Sequence, residues 1–385
     1  MNTQEQCFQF YDHINVLIKP TDGCNLRCRY CFHQDFGYQH TKLNLEDLEH
    51  FFQITMPHYR SMLIIWHGGE PTYVGAAYLK QCSDMAIDYA SQYNVSLRQT
   101  MQTNGTLLTQ EFIDVLQNNH ISIGVSYDGP VNNITRGSSK ALYEVNQRLA
   151  MAGIRYGSIS VISGLNVHHL PELYDHMKSL NQDFQMNPFI DTSINAPKEL
   201  VMTVDEYVSE MASLFREWLQ DSSCNITVDP FTRMIRDVYV GRSSLCSRSS
   251  CMRNWLCLNA NGQLSPCDRY FPDEYCYGYV SDLSDIRQVY SSAGYMNLMS
   301  KAIIRRHKCQ QECDVYSLCE GGCNNNALFE GGIENNGGFS CQVTKALLHM
   351  VKSAVAQYEL FGDKPLVKNP ILLHCLADLR GGLDA

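Results

Sequence analysis

Up to about residue 225 the chain alternates short β-branched or apolar runs with longer segments in which apolar residues recur at helical spacing. Six such units are predicted. The strands fall at 15–19, 62–67, 97–102, 122–126, 158–162 and 184–189, and the helices that follow them near 45–55, 76–91, 110–118, 139–151, 170–180 and 204–219. Strand and helix in alternation build a parallel sheet covered by its own helices, an α/β fold, here as a partial (β/α)6 barrel. In such a sheet the functional loops follow the strands, at their C-terminal ends. Gly23-Cys24 follows the first strand, Gly68-Gly69-Glu70-Pro71 the second, Thr103-Asn104-Gly105-Thr106 the third and Asp128-Gly129-Pro130 the fourth. Four polar, glycine-rich segments therefore share one rim.

Beyond residue 225 the pattern gives way to loop-rich sequence. A hairpin is predicted from 255–259 and 263–266 around the turn Ala260-Asn261-Gly262. A last amphipathic helix, 342–360, leads to a tail broken by Pro365 and Pro370. The expected division is 1–225, 226–345 and 346–385. No repeat of 20–50 residues and no low-complexity stretch interrupts it.

With 385 residues, 44% hydrophobic and 18% charged, the chain has enough apolar content to fold around one large or two ordinary cores. Forty acidic against thirty basic residues give a net charge of −10 without a basic run, which argues against a nucleic-acid partner. No apolar run approaches a membrane span and the first residues lack a basic-then-apolar layout, so no membrane is expected and the protein reads as cytoplasmic.

Seventeen cysteines change the picture. An odd count in a chain read as cytoplasmic points to metal rather than to disulfides. They are grouped: Cys24, Cys28 and Cys31; then Cys246, Cys251, Cys257 and Cys267; then Cys309, Cys313, Cys319, Cys323 and Cys341. The first group places three thiols within eight residues, whereas an electron-carrying [4Fe–4S] cluster normally takes four. Three cysteines leave one iron open to a chelating small molecule. The residues alone also allow a zinc knuckle with His33 as its fourth ligand.

The spacing Cys24-x3-Cys28-x2-Cys31, with the aromatic Tyr30 before the last cysteine, resembles the signature of the radical S-adenosylmethionine (SAM) superfamily. That resemblance implies that Gly68, Gly69 and Glu70 form the loop that meets the methionine amino group. It also makes Tyr30, Asn104, Ser126 and Arg136 candidate SAM contacts. Read locally, the glycine loop is equally a turn and the other positions are ordinary loop caps. The C-terminal cysteines resemble a SPASM domain, which carries two auxiliary [4Fe–4S] clusters. Carried over, one cluster takes Cys246, Cys251, Cys267 and Cys323, and the other Cys309, Cys313, Cys319 and Cys341. Cys257 competes with Cys246 for the first set, although its alternation with Leu256 and Leu258 suits a packed strand residue. Paired cysteines of this kind also suit zinc ribbons.

The implied cofactors are thus three [4Fe–4S] clusters and SAM, with an external one-electron reductant of flavodoxin or ferredoxin type. From about 14 to 345 the chain resembles anaerobic sulfatase maturases, which oxidise a Cys or Ser to formylglycine, and ribosomal-peptide maturases that form three-residue cyclophanes. The substrate is accordingly expected to be a precursor peptide or protein. Cys267-Asp268 matches the Cys-Asp step of the sulfatase maturases, which makes Asp268 a candidate catalytic base; a hydrogen bond shaping the cysteine loop is its local alternative. The segment 187–191 and the loop to Pro197 depart from the sulfatase-maturase pattern, which favours a cyclophane-forming peptide maturase over formylglycine synthesis. An iron–sulfur electron carrier is the non-enzymatic alternative.

Overall fold

The computed structural model describes residues 12–32, 40–137, 139–191, 197–246 and 251–381. His33 and the loop 192–196 lie outside the described residues. The six expected strands are present with ends shifted by at most two residues: β1 His13–Ile18, β2 Ser61–Trp66, β3 Ser96–Thr103, β4 Ile121–Ser126, β5 Gly157–Ile162 and β6 Phe184–Pro188. Each pairs in parallel with the next, and helices Leu45–Thr55, Ala76–Tyr93, Gln110–Asn118, Ser139–Met151 and Leu170–Ser179 make the crossovers. A seventh strand, β7 (Val228–Asp229), follows helix Val204–Gln220 and pairs with β6. Two residues are too short a run to register as a strand by periodicity.

The hairpin forms as expected, from β8 (Trp255–Leu258) and β9 (Gln263–Ser265), and β10 (Gly278–Tyr279) joins its outer edge. Its placement was not legible in the sequence. β8 pairs in parallel with β1, giving one ten-stranded sheet in the order β10-β9-β8-β1-β2-β3-β4-β5-β6-β7. The sheet therefore runs through the expected division at residue 225 at both of its ends. This explains the apolar run of β1, which is buried at five of six positions, while the adjacent β2 alternates strictly. β1 lies between β2 and the hairpin, whose attachment makes it an interior strand.

Two apolar cores pack outside the sheet. The first joins β1–β4 to the hairpin region through Trp66, Phe51, Phe52 and Leu298; the second joins β5–β7 to the C-terminal helices through Trp218, Phe215, Phe231 and Leu348. Helix Phe339–Gln357 covers the second core. The tail departs from expectation: Pro370 does not break structure but opens helix Pro370–Gly381. Proline suits the first helical turn, where its missing N–H would have no partner. Buried Asn369 caps that helix, accepting from Leu372 N at 3.0 Å while donating to Trp218 O at 2.8 Å.

Removing the cap in Asn369→Ala leaves the Leu372 N–H and Trp218 carbonyl without their buried partner. A loss of about 1–3 kcal/mol is expected in urea unfolding. An unchanged midpoint would show that the last helix contributes nothing to the second core.

Candidate active site and cluster sites

The loop after β1 is fixed by its approach to the loop after β2. Gly69 N donates to Thr21 O at 3.1 Å and Glu70 N to Gly23 O at 2.9 Å. A Cβ on Gly69 would lie 2.4 Å from the carbonyl oxygens of Asp22 and Gly23, and one on Gly68, at φ +122°, 2.2 Å from Thr21 O. Both glycines are required for the contact. Glu70, 1% exposed, completes it. Its carboxylate accepts from Thr72 N and Oγ1, from Thr103 Oγ1 at 2.6 Å and from Asn104 N at 2.7 Å. Four protein donors converge on the side chain expected to meet a ligand ammonium, and they tie the loops after β2 and β3 together.

The three cysteines stand on the loop so anchored. Cys24 and Cys28 are buried and Cys31 is half-buried. Asn104 lies behind Cys24, its Nδ2 3.9 Å from the sulfur and 3.0 Å from Asn25 Oδ1. Burial pushes the Cys28 thiol up to about 12, partly offset by nearby Arg136, and also raises Cys24. Thiols held in this way become good ligands once a metal displaces their protons. Three of them on one short loop, with no fourth cysteine in the motif, fit a cluster with one open iron.

Opposite them stands a node the sequence did not single out. Asp128 Oδ2 accepts from Tyr30 Oη at 2.5 Å, Thr135 Oγ1 at 2.6 Å and Arg136 Nε at 3.2 Å, and its Oδ1 accepts from Val161 N at 2.9 Å. The Arg136 guanidinium lies 5.2 Å from the Tyr30 ring centre. Burial works against the Arg136 charge, and Asp128 more than restores it. Tyr30 and Arg136, expected as SAM contacts, thus form the wall that pins the cysteine loop to β4 and β5. Half-buried Ser126 accepts from Gln102 Nε2 at 2.9 Å, so its own proton remains to be donated.

Among the C-terminal cysteines, Cys246 and Cys323 lie close enough to Cys251 to oppose its ionisation, and Cys251 acts likewise on Cys267. Cys257 is elsewhere: fully buried in β8, it neighbours Lys19 and Ser265, and burial pushes its thiol up to about 11. Cys309, Cys313, Cys319, Cys323 and Cys341 line a cavity of about 90 Å³. Among the described residues no three His, Cys, Asp or Glu side chains converge as ligands of a single metal ion.

Asp268 links the cysteine region to the rim. Cys267 Sγ donates to its Oδ1 at 2.9 Å, and His67 Nδ1 lies 3.7 Å from its Oδ2, an ion-pair separation rather than a hydrogen bond. Lys19 Nζ donates to the Asp268 carbonyl at 2.5 Å. Burial alone would raise this carboxyl; His67 and Lys19 bring it down to about 2. Neither cation was singled out in the sequence. Lys19, only 6% exposed at the end of β1, carries the one available signal, a lysine closing an otherwise apolar strand.

Residues 18–177 match the model of the radical SAM superfamily. The chain is 25% identical over 333 residues to the cysteine-type anaerobic sulfatase-maturating enzyme of Clostridium novyi (strain NT), covering 80% of this chain and 86% of that protein. Native anSMEcpe with bound AdoMet and Kp18Cys peptide has a similar fold, with a TM-score of 0.78 at 20% identity over 90% of this chain and 98% of that one. Streptococcus suis SuiB bound to precursor peptide SuiA matches with a TM-score of 0.57 at 17% identity, over 83% of this chain and 74% of that one. The chain is an enzyme of radical chemistry whose partial barrel works with a [4Fe–4S] cluster and SAM, and the electron-carrier alternative is set aside.

Glu70→Ala leaves its loop donors unpaired, so the ligand-free protein is expected to lose about 2 kcal/mol or more in denaturant unfolding, together with its affinity for SAM. Weakened SAM binding with unchanged ligand-free stability would instead make Glu70 a ligand contact only.

Proposed function

We propose that this radical SAM enzyme is a maturase that oxidatively modifies a ribosomally made precursor peptide by joining an aromatic side chain to a nearby β-carbon. The observation that carries the reading is Asp268, an ionised carboxylate where the barrel rim meets the hairpin, which accepts from Cys267, has His67 at ion-pair separation and is fixed through its backbone carbonyl by Lys19. Loss of an electron from a substrate radical is helped by simultaneous loss of a proton, and a carboxylate beside a cluster ligand can take it. The bond formed is supported by the segment after β6, Asn187-Pro188-Phe189-Ile190-Asp191, which departs from the sulfatase-maturase pattern.

In this reading Cys24, Cys28 and Cys31 hold the cluster that binds SAM, and SAM when bound supplies a 5′-deoxyadenosyl radical that takes a hydrogen atom from the peptide. Gly68 and Gly69 keep their loop close enough to frame the ligand, and Glu70 holds that loop in place. Asn104, Ser126, Tyr30 and Arg136 wall the site and exclude water. Cys246, Cys251, Cys267 and Cys323 hold one auxiliary cluster, and Cys309, Cys313, Cys319 and Cys341 the other. Residues 1–225, 226–345 and 346–385 serve as barrel, auxiliary-cluster region and C-terminal extension. A flavodoxin or ferredoxin supplies electrons. A second reading, formylglycine synthesis on a sulfatase, is supported by the near full-length alignment with the Clostridium novyi enzyme.

Anaerobic reconstitution is expected to give about twelve irons per chain, four for each of three cubanes, and the triple variant Cys24→Ala, Cys28→Ala, Cys31→Ala about eight with no SAM cleavage. Zinc in their place, or cleavage by the triple variant, would overturn the assignment.

Asp268→Asn is expected to keep iron and 5′-deoxyadenosine formation while product falls about a hundred- to ten-thousand-fold. Mass spectrometry then identifies the bond, using a peptide with an aromatic residue two positions before Asn, Asp or Lys and, separately, a Cys-x-Pro-x-Arg peptide. A product lacking two hydrogens and unreactive toward hydrazine reagents supports the cross-link. A hydrazine-reactive aldehyde supports formylglycine.

A further inference from the structure

Helix Ala293–Glu312 carries a buried cation that the reading above leaves without a task. Arg305 is 1% exposed. Its guanidinium donates to Gly321 O at 2.8 Å, Gly322 O at 3.3 Å, Asn324 Oδ1 at 2.6 Å and the Ile333 carbonyl. Every acceptor is neutral, and among the described residues no carboxylate lies within ion-pair distance of it. The nearest acid lining the same cavity, Glu330, is engaged by Ser340 N and Oγ. A guanidinium cannot shed its proton as a lysine can, and an uncompensated buried charge is costly. Something anionic must therefore face it.

Among the described residues the candidates are the cysteines. Arg305 lines the cavity of Cys309, Cys313, Cys319, Cys323 and Cys341, and it is also within electrostatic reach of Cys251. It thus reaches members of both auxiliary sets. Arg306, the next residue, has a buried Nε without a hydrogen-bond partner and acts on Cys251. The turn at Gly321 and Gly322, at φ +89° and +73°, presents both carbonyls to Arg305 and runs between Cys319 and Cys323. As protonated thiols the cysteines offer no counter-charge. As four thiolates around a cubane they outweigh the charge of its core, and each site becomes anionic.

We infer that Arg305 is a fixed cation shared by the two auxiliary cluster sites, which raises the reduction potential of both. Arg306 adds to the field at the Cys246/Cys251/Cys267/Cys323 site, where it acts on Cys251. A nearby positive charge favours the more negative, reduced state of any bound redox group, so removing it must lower the potential. Arg305 is here a positioning residue of the field, touching neither substrate nor SAM. The inference rests on the proposed three-cluster reading.

The test is an EPR-monitored redox titration of the reconstituted full-length protein and its variants, with iron analysis alongside. Arg305→Gln is expected to lower both auxiliary potentials by at least a tenfold change in the reduction equilibrium, 59 mV for one electron, and Arg305→Lys to restore most of the shift. Arg306→Gln is expected to lower the first-site potential. Where Arg305→Gln cannot hold iron, Arg305→Lys and Arg306→Gln decide: retained potentials in the lysine variant with a lowered first-site potential in the other support the inference. Unchanged potentials in Arg305→Gln, or equal lowering in its lysine and glutamine variants, would overturn it. Wild-type protein holding about four irons would overturn the cluster reading, and the inference with it.

Discussion

A single buried carboxylate holds the rim of this barrel together. Glu70 leaves β2 with no exposed surface and receives donors from its own loop and from the loop after β3, while its N–H reaches the loop after β1. Three loops that start from three strands are thereby locked to one point. The lock works only because Gly68 and Gly69 let two backbones meet without an intervening Cβ. The cysteine loop inherits its position from that meeting, as does Asn104 behind Cys24. The side chain expected to meet a ligand is thus also part of the frame around that site.

The second organising fact is that the cysteine-rich region adds strands to the barrel sheet instead of forming a separate body. Pairing β8 with β1 in register from Asn15 with Trp255 to Ile18 with Leu258 brings the segment after β9 beside the ends of β1 and β2. Asp268 reaches Lys19 and His67 for that reason alone. A hinged second domain could not hold the Asp268 backbone carbonyl on Lys19 and its carboxylate beside His67 so reliably. Continuity of the sheet thus couples the auxiliary-cluster region to the place where substrate chemistry is proposed.

Most of the repeating architecture was legible because it obeys local periodicity: helices 45–55 and 110–118 appear where their apolar spacing put them. The cysteine groups were legible because metal chemistry imposes spacing on sequence. Hidden features depend on long-range contact. β7 is two residues long, and the helix begun by Pro370 depends on Asn369 meeting Trp218. Asp128 is one acid in a turn until Tyr30, Thr135 and Arg136 fold around it. Arg305 looks like a surface residue in a helix of low amphipathicity, and only the turn at Gly321–Gly322 makes it internal.

These buried cations share a logic. The chain carries a net charge of −10, yet Arg136 stands beside Cys28 and Arg305 beside cysteines of both C-terminal sets. Lys19 similarly stands beside Asp268. In a protein with excess acid, cations are not placed in the interior by composition, and each costs desolvation. Their positions mark where negative charge gathers if, as proposed, these thiols lose their protons to iron while Asp268 remains ionised. Arg136 differs from Arg305 in having a carboxylate of its own, Asp128, so its charge is already balanced within the protein. Arg305 has none among the described residues, and its charge remains available to whatever the two C-terminal cysteine sets hold.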